Sequence, residues 1–292
     1  MSIKPPVARL TALALTAPLA YSLVEPWRLV VRHFTVALPH LPAAVDGLRI
    51  AQLSDIHCSA LTSTRFLREA VARCNAEAPD VVVLTGDFVS RRDSYAGFSL
   101  AQLWARPVAA YAAAMTAEVA WLKAPDGVFA VPGNHDYSGG RFEAIADVLS
   151  AAGIQVLVNR SVRLREALPM IGVDDLRAGR PRMDNACAAV TGGEPQVILS
   201  HNPRFFSHVT DRNCFVIAGH THGGQVHLPF TDFRRRPRDM ETSPWHEGWY
   251  HYGPATMYVS RGLGSVHFPM RFRCPPEIAI FTLRAAVGST VA

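Results

Sequence analysis

Five short clusters of polar residues in this sequence contain side chains that can bind metal ions, and each cluster follows a short apolar run. Their candidate ligands are Asp55, His57, Asp87, Asn134, His201, His220 and His222. Taken singly, each cluster has an ordinary structural explanation: Asp55 could cap a helix, Gly86-Asp87 could form a turn, and His201 could be a hydrogen-bonded core residue. Their repetition favours a shared site, because each apolar run would deliver a carboxylate, an amide oxygen or an imidazole to one place.

The spacing of these residues suits a pair of divalent cations. One residue separates Asp55 from His57. The same spacing separates His220 from His222. On extended backbone, two residues at this spacing point to the same side, so each pair could bind one cation. Two cations about 3.5–4 Å apart need a bridging anion, for which Asp87 is the natural candidate.

The types of side chain also restrict the metal. Carboxylate, amide and imidazole ligands together favour Mn, Fe, Zn or Co over Ca or Mg, and Asn134 would limit the negative charge around the cations. The five cysteines form no CxxC pair, so neither a structural zinc site nor a disulfide framework is predicted. Cys58, next to His57, is expected to be an inert core residue. We therefore expect two divalent metal ions, Mn, Fe or Zn, with the choice among them open.

The elements that must position these ligands are strands that end just before them. Apolar runs predict such strands at 48–53, 81–84, 128–131, 196–199 and 215–218. Further strands are predicted at 28–38, 155–158, 169–173, 256–260 and 278–283. Helices are predicted at 62–77, 100–123 and 141–151. The chain shows no internal repeat and no linker, and strands interleaved with helices indicate one α/β domain, in which sites form beyond strand ends.

The complete set of motifs resembles the calcineurin-like metallophosphoesterase superfamily, over roughly Arg49 to Leu283. The matching motifs are DxH at 55–57, GD at 86–87, GNHD at 133–136, His201, and GHTH at 219–222. The resemblance implies an α/β fold, a four-layer αββα sandwich with two mixed sheets and flanking helices. It also implies two overlapping ligand sets, one of Asp55, His57, Asp87 and His222, and one of Asp87, Asn134, His201 and His220. His135 matches a position that is not a ligand but faces the scissile group.

The activity implied is hydrolysis of a phosphoester by a hydroxide that bridges the two metals, with His135 protonating the leaving oxygen or stabilising the transition state. The GHTHGGQ motif and the YVSRGLG run at 258–264 resemble a branch of small bacterial membrane-associated phosphoesterases. We therefore expect a phosphodiesterase or pyrophosphatase that acts on a membrane-associated or nucleotide-linked substrate such as UDP-2,3-diacylglucosamine. A general phospholipid or cell-wall phosphodiesterase and an inactive metal-binding scaffold are the alternatives. Protein phosphatase activity is not expected, because FVSR follows Asp87 where protein phosphatases of the superfamily have VDRG.

An apolar run from Leu10 to Val24 divides the chain into a predicted signal or anchor segment, 1–27, and a phosphoesterase domain, 28–288. The run is shorter than the roughly 20 residues that span a bilayer. It could be a signal-peptide core, an uncleaved anchor or an interfacial helix, and the lack of a convincing cleavage site favours the anchor. Membrane association is therefore expected, at the bacterial inner membrane, on a side that the balanced flanking charges leave open.

The net charge of +5 suits an anionic phosphoester substrate and a membrane surface, and it is too small to indicate a nucleic-acid partner. The sequence leaves the oligomeric state open. Arg261, Arg271 and Arg273 are expected at the surface near the site, where one of them could bind a phosphate. The basic run at 234–238 predicts a solvated loop or, with the aromatic residues after it, a lip that rests on lipid headgroups. Those aromatic residues are Trp245, Trp249, Tyr250 and Tyr252.

Overall fold

The computed structural model describes residues 17–90, 106–187, 190, 193–228 and 244–286. Within them, twelve strands form two six-stranded sheets. The strands are β1 Val30–Leu38, β2 Arg49–Leu53, β3 Val81–Thr85, β4 Val128–Val131, β5 Gln155–Val156, β6 Arg160–Leu164, β7 Leu168–Gly172, β8 Gln196–Leu199, β9 Cys214–Ala218, β10 Gly248–Tyr252, β11 Ala255–Val259 and β12 Glu277–Ala285. The α-helices after residue 60 are α1 Thr64–Ala76, α2 Val108–Val119, α3 Phe142–Ala151 and α4 Met183–Ala186.

Both sheets are mixed, and their central strands are parallel. The first sheet has the order β1-β12-β2-β3-β4-β5, with β12 antiparallel to β2 and the other neighbours parallel. The second has the order β10-β11-β9-β8-β7-β6, with antiparallel pairs only at its two edges. Parallel neighbours present their carboxyl ends at the same edge of a sheet, so β2, β3 and β4 carry their loops to one place, as do β8 and β9.

The two sheets pack face to face, and the alternation of side chains along each strand creates this layering. In β3, Val81 and Val83 lie in the cluster between the sheets, whereas Val82 and Leu84 face the helices. The same alternation occurs in β9, where Phe215 lies between the sheets. A strand that is apolar on both faces must be covered on both, which is why these runs read as continuously apolar in the sequence.

Helices cover the outer faces of both sheets. Helix α1 begins after Ser63, whose side chain accepts the backbone N–H of Phe66, and it buries one apolar stripe against the first sheet. Helices α2 and α3 contribute to the same cluster. The short helix α4 and a 3-10 helix, Pro203–His208, cover the second sheet. The predicted four-layer αββα sandwich with two mixed sheets is therefore confirmed.

The structure differs from the sequence prediction at the edges of the second sheet. Strands β6 and β10 were not predicted, because their apolar residues are interrupted by arginine, histidine and exposed aromatic side chains. Trp249 of β10 does not form a lip: its ring packs against Phe34, Tyr258 and Phe281 at centroid distances of 5.0–5.9 Å. The interpretation of this aromatic residue as a membrane contact is wrong, whereas Tyr252 is exposed. The basic run 234–238 and residues 100–105 of the predicted long helix lie outside the described residues.

Residues 17–24 are helical and continue into a 3-10 turn, Glu25–Trp27. Across the described part of the chain, no helix combines the length and the apolar character that crossing a bilayer requires. The predicted boundary between residues 27 and 28 stays a prediction. In the structure, however, the preceding residues contact the domain, since Ser22 and Glu25 are both buried.

Candidate metal centre

The loops beyond the strand ends adopt an unusual backbone conformation. Five of the candidate ligands have positive φ angles between 45° and 74°: Asp55, His57, Asp87, His220 and His222. Residues other than glycine rarely adopt this left-handed conformation, and such strain concentrates at functional sites. The expectation that Asp55 and His57, and likewise His220 and His222, lie on extended backbone is therefore wrong. The side chains of each pair nevertheless lie in the clusters described below.

The first cluster of candidate ligands comprises Asp55, His57 and His222, which are all buried. The Nε2 atom of His222 lies 3.2 Å from Nε2 of His57 and 3.4 Å from Oδ1 of Asp55. Asp55 comes from the loop after β2 and His222 from the loop after β9, so the cluster joins the two sheets. Three such groups can bind one cation.

The second cluster comprises Asp87, His201 and His220, which are also buried. The Nε2 atom of His201 lies 3.1 Å from Nδ1 of His220 and 3.3 Å from Oδ2 of Asp87. These residues follow β3, β8 and β9. They form a second group that can bind a cation.

A single carboxylate oxygen connects the two clusters. Oδ2 of Asp87 lies 3.3 Å from Nε2 of His57 in the first cluster, the same distance that separates it from His201 in the second. The geometry thus places Asp87 where the sequence argument required a bridging anion.

Hydrogen bonds orient the imidazoles for metal binding. Nδ1 of His201 donates to the carbonyl oxygen of Thr85 at 2.8 Å, and Nδ1 of His222 donates to that of Gly264 at 3.2 Å. A carbonyl oxygen can only accept, so each Nδ1 carries the hydrogen and each Nε2 is left with its lone pair. Metal-binding histidines show this arrangement, in which the second nitrogen is fixed by an acceptor.

Asn134 provides a direct test of whether the residues fit a metal. Its side-chain oxygen Oδ1 is buried and has no hydrogen-bond partner among the described residues. Burying an amide oxygen without a partner is costly, and a cation in the second ligand set would satisfy it. The donor set therefore fits divalent metals.

The ionisation of the site matches this interpretation. Burial would raise the pKa of Asp87, but the charges of His201 and His135 hold it well below its usual range. Burial likewise lowers the pKa of His201, yet Asp87 more than offsets this and raises it well above the usual value. A cation that binds Nε2 of His201 would therefore compete with a proton for this nitrogen. Burial lowers the pKa of His135 to about 4.

Asp136 is a site residue that the sequence analysis missed. Its buried carboxylate accepts the backbone N–H groups of Asp87, Phe88 and Gly133 at 2.8–2.9 Å. These bonds fix the loop after β3 to the loop after β4. The available signal was its place at the end of the GNHD motif, in which the sequence analysis assigns roles only to Asn134 and His135.

Asp175 was missed as well. It follows β7, is fully buried, and its Oδ2 has no hydrogen-bond partner within the described parts of the chain. Burial raises its pKa, while the charges of His201 and His220 in the second cluster oppose the rise. An unexplained aspartate after a strand was the available signal.

The prediction for Arg271 is wrong. Its side chain is fully buried, and its Nη2 atom donates to the carbonyl oxygens of Arg261, Gly262 and Gly264 at 2.6–3.2 Å. It therefore shapes the loop after β11 and binds no phosphate at the surface. Arg261 is partly buried and pairs with Glu247 at 2.6 Å, whereas Arg273 is exposed as expected.

Comparison with known proteins agrees with this geometry. The family model of the calcineurin-like phosphoesterases matches residues 48–253. The metallophosphoesterase YkuE of Bacillus subtilis is 30% identical over 94% of this chain and 94% of its own length. The UDP-2,3-diacylglucosamine pyrophosphatase LpxG of Chlamydia trachomatis is 27% identical over 88% of this chain and 90% of its own. The phosphodiesterase YaeI of Escherichia coli is 29% identical over 80% and 82%, respectively. This chain therefore belongs to the calcineurin-like phosphoesterase family and is a phosphoric ester hydrolase that uses divalent metal.

Proposed function

We propose that the protein is a dinuclear-metal phosphodiesterase or pyrophosphatase that acts on a membrane-associated or nucleotide-linked substrate such as UDP-2,3-diacylglucosamine. The observation that carries the dinuclear assignment is the position of Asp87 Oδ2, at 3.3 Å from a histidine of each cluster. The substrate class draws support from two relatives, one named as a UDP-2,3-diacylglucosamine pyrophosphatase and one as a phosphodiesterase.

The proposed ligands are those of the sequence analysis, with Asp87 shared. Asp55, His57 and His222 would hold one ion with it, and Asn134, His201 and His220 the other. Their mixture of oxygen and nitrogen donors suits Mn, Fe or Zn. Two bound cations supply activation of water near neutral pH and neutralisation of charge on the phosphoryl oxygens.

His135 is the proposed partner of the leaving group. Its backbone N–H donates to Oδ1 of Asp87 at 2.8 Å, and its ring lies edge-on to that of His57, with 5.0 Å between centroids. The side chain is only partly buried, so a substrate can approach it from solvent. Held beside the clusters but outside them, the imidazole would hydrogen-bond to or protonate the leaving oxygen.

An inactive metal-binding scaffold is the main alternative. It would have no reason to keep seven candidate ligands, an oriented histidine pair and His135 in one place. A general phospholipid or cell-wall phosphodiesterase differs only in substrate.

The N-terminal segment, residues 1–27, is the proposed membrane contact, and the structure describes its residues 17–27. Its inner side is hydrogen-bonded to the domain. The carbonyl oxygen of Ser22 accepts the backbone N–H of Arg271, and the carboxylate of Glu25 accepts that of Cys274. Its outer side exposes four large apolar residues, each 49–56% exposed: Leu19, Leu23, Val24 and Trp27. A segment that is hydrogen-bonded to the domain on one side and exposes apolar side chains on the other is suited to lie at a membrane surface. The proposed membrane is the bacterial inner membrane.

Hydrolysis assays on the full chain test the function. The protein is stripped of metal, reloaded separately with Mn, Zn or Fe, and given a generic phosphodiester, a phosphomonoester and UDP-2,3-diacylglucosamine in detergent micelles. We expect metal-dependent cleavage of the diester and the pyrophosphate, with the monoester poorest. Absence of hydrolysis with every metal would favour the scaffold, and a preference for the monoester would contradict the proposed bond type.

Sedimentation with anionic phosphatidylglycerol vesicles tests the membrane contact. Replacing Leu23 and Val24 together by serine should abolish cosedimentation. Trp121→Ser provides the matched control, because Trp121 is 69% exposed outside this segment. Equal binding by both variants would exclude the segment as the contact.

A further inference from the structure

A third cluster of potential metal ligands lies outside the proposed dinuclear set. It comprises His227, Glu247 and Cys274, whose ligand atoms all lie within 4.8 Å of one another. We propose that these three residues form a separate metal site for Zn²⁺ or another divalent cation that prefers nitrogen and sulfur ligands. The sequence analysis did not identify it, because the three residues are far apart in the chain.

Backbone contacts bring the three residues together. Val226 forms an isolated bridge with Phe272, and the N–H of His227 donates to the carbonyl oxygen of Phe272 at 2.9 Å. This places His227 beside Cys274. Glu247 precedes β10 directly, so the second sheet positions it.

His227 is oriented as a ligand. Its Nε2 hydrogen-bonds to the carbonyl oxygen of Gly223, which can only accept, so Nε2 carries the hydrogen. Its Nδ1 is thus left with a lone pair, and it lies 3.9 Å from Oε1 of Glu247. A carbonyl oxygen behind the ring is the usual partner of a metal-binding histidine.

Glu247 is held in the same way. Nε of Arg261 donates to its Oε2 at 2.6 Å, which fixes the carboxylate in the cluster. A hydrogen-bonded ligating carboxylate is also typical of metal sites. Two of the three proposed ligands are therefore held by partners that do not belong to the cluster.

Cys274 adds the soft donor. It is fully buried, and its thiol donates to the carbonyl oxygen of His222 at 3.3 Å. On binding, the thiol would release its proton to solvent as the bond from sulfur to metal forms. Thiolate, imidazole and carboxylate together favour zinc over Mg or Ca, with a fourth position left for water.

The charges around the cluster permit a cation. The charges of Glu247, Glu277, Arg261 and Arg271 act on the Cys274 thiol, and the buried carboxylate of Glu25 accepts the N–H of Cys274 at 3.2 Å. With Cys274 as a thiolate, four negative charges surround the cluster together with two positive ones, so a divalent cation would balance their charge. The side chains of His227 and Glu247 are 15% and 13% exposed, which gives the ion a path from solvent.

The site would stabilise the turn that carries a proposed ligand of the dinuclear centre. A Cβ atom on Gly223 would lie 2.8 Å from Sγ of Cys274 and 3.0 Å from Oε2 of Glu247, so the cluster is closed around the turn His222–Gly224. A cation held there would restrain this turn and with it His222, a proposed ligand of the first cluster.

Cobalt substitution tests the site independently of phosphoesterase activity. The metal-free full chain is titrated with Co²⁺ and followed by near-ultraviolet absorption, where thiolate-to-cobalt charge transfer appears. The proposed dinuclear ligands include no sulfur, so this band reports the third site alone. We expect a charge-transfer band whose intensity corresponds to one Co²⁺ per chain. Elemental analysis should find three bound cobalt ions per chain in total.

Variants assign the band to its residues. Cys274→Ser should abolish the band and reduce bound cobalt from three ions to two, and His227→Gln should weaken or abolish the band. Cys187→Ser, at a partly exposed cysteine elsewhere, should leave it unchanged. A wild-type protein without the band, or a band that survives Cys274→Ser, overturns the proposal. If Cys274→Ser does not fold, a band that is unchanged in the partly exposed His227→Gln overturns it equally.

Discussion

The carboxylate of Asp136 accepts the backbone N–H of Asp87 at 2.9 Å, which connects two loops that lie 49 positions apart. The same carboxylate accepts the N–H groups of Phe88 and Gly133. Asp87 has a φ of 55°, a left-handed conformation that is uncommon for residues other than glycine. Asp136 therefore determines where the proposed bridging oxygen lies without contacting a cation itself.

Asp136→Asn should disturb this arrangement although it changes few atoms. The amide has one oxygen in place of two, so its NH₂ group would face at least one backbone N–H. We expect the free energy of unfolding to fall by about 1–3 kcal/mol, the cost of leaving a buried donor unsatisfied, as measured by urea denaturation. Asp147→Asn, at an exposed position of α3, is the control and should change stability little. Equal stability of the two variants would contradict this role.

Asp87→Asn removes the charge of the shared oxygen. Mutating groups that merely orient a metal ligand costs about 10–100-fold in affinity or activity, so loss of the shared ligand should lower kcat/KM by more than about 100-fold. The assay uses the diester with saturating metal, and bound metal is counted in parallel. Wild-type turnover in this variant would refute the dinuclear model.

The sequence indicates which candidate ligands come together, because each of them follows a strand that ends at the same place. Each apolar run is buried on both faces, as β3 shows, and each ends at a polar residue that the parallel sheet carries to a common edge. The pairing of Asp55 with His222 across the two sheets depends on the order of the strands, and the resemblance to a known family supplied it. Spacing alone could not have given it.

The remaining features depend on tertiary contacts that leave no periodic pattern. Arg271 looks like any surface arginine in the sequence, yet three carbonyl oxygens of one loop converge on it. Trp249 precedes Tyr250 and Tyr252 and is grouped with them in the sequence, although it packs on Phe281 and only Tyr252 is exposed. The positive φ angles at the ligands arise from the loops as a whole, so single-residue preferences could not reveal them.

Arg271→Lys should weaken the first metal-binding cluster. The guanidinium donates from Nη2 to the carbonyl oxygens of Arg261, Gly262 and Gly264. It also donates from Nη1 to that of Cys274, and a single lysine ammonium cannot reach both groups of acceptors. Gly264 in turn accepts from Nδ1 of His222, so we expect lower thermal stability together with weaker metal binding by calorimetry. Arg273→Lys, two positions away and exposed, should match the wild type. If the two substitutions have the same effect on metal binding, the buried guanidinium of Arg271 is not needed for it.

The cysteines should differ sharply in their reactivity towards alkylating reagents. Burial raises the pKa of Cys58, Cys74 and Cys214 to about 12, and that of Cys274 to about 11. Since the thiolate is the reactive form, these four should resist iodoacetamide in the native protein at pH 8. Cys187 is only partly buried and should be labelled first, as identified by mass spectrometry of the digested chain. Rapid labelling of Cys58 would show that the inert core assignment is wrong.

Gly262→Ala separates backbone strain from displacement of a ligand. Gly262 has a φ of +67°, and a Cβ atom there would lie 2.7 Å from Cβ of Asp55. Gly153 has a φ of +80°, and a Cβ atom there would meet no other atom within 4 Å. Gly153→Ala therefore introduces backbone strain without displacing a neighbour. Gly153→Ala should lose about 1–2 kcal/mol of stability, the cost of a left-handed residue that has a Cβ, and Gly262→Ala should lose more because its Cβ also displaces Asp55. Only Gly262→Ala should also weaken metal binding and lower the rate of diester hydrolysis, because it must move Asp55. An equal effect of both substitutions on metal affinity would mean that the position of Asp55 tolerates this shift and that the loop after β11 does not set the first cluster.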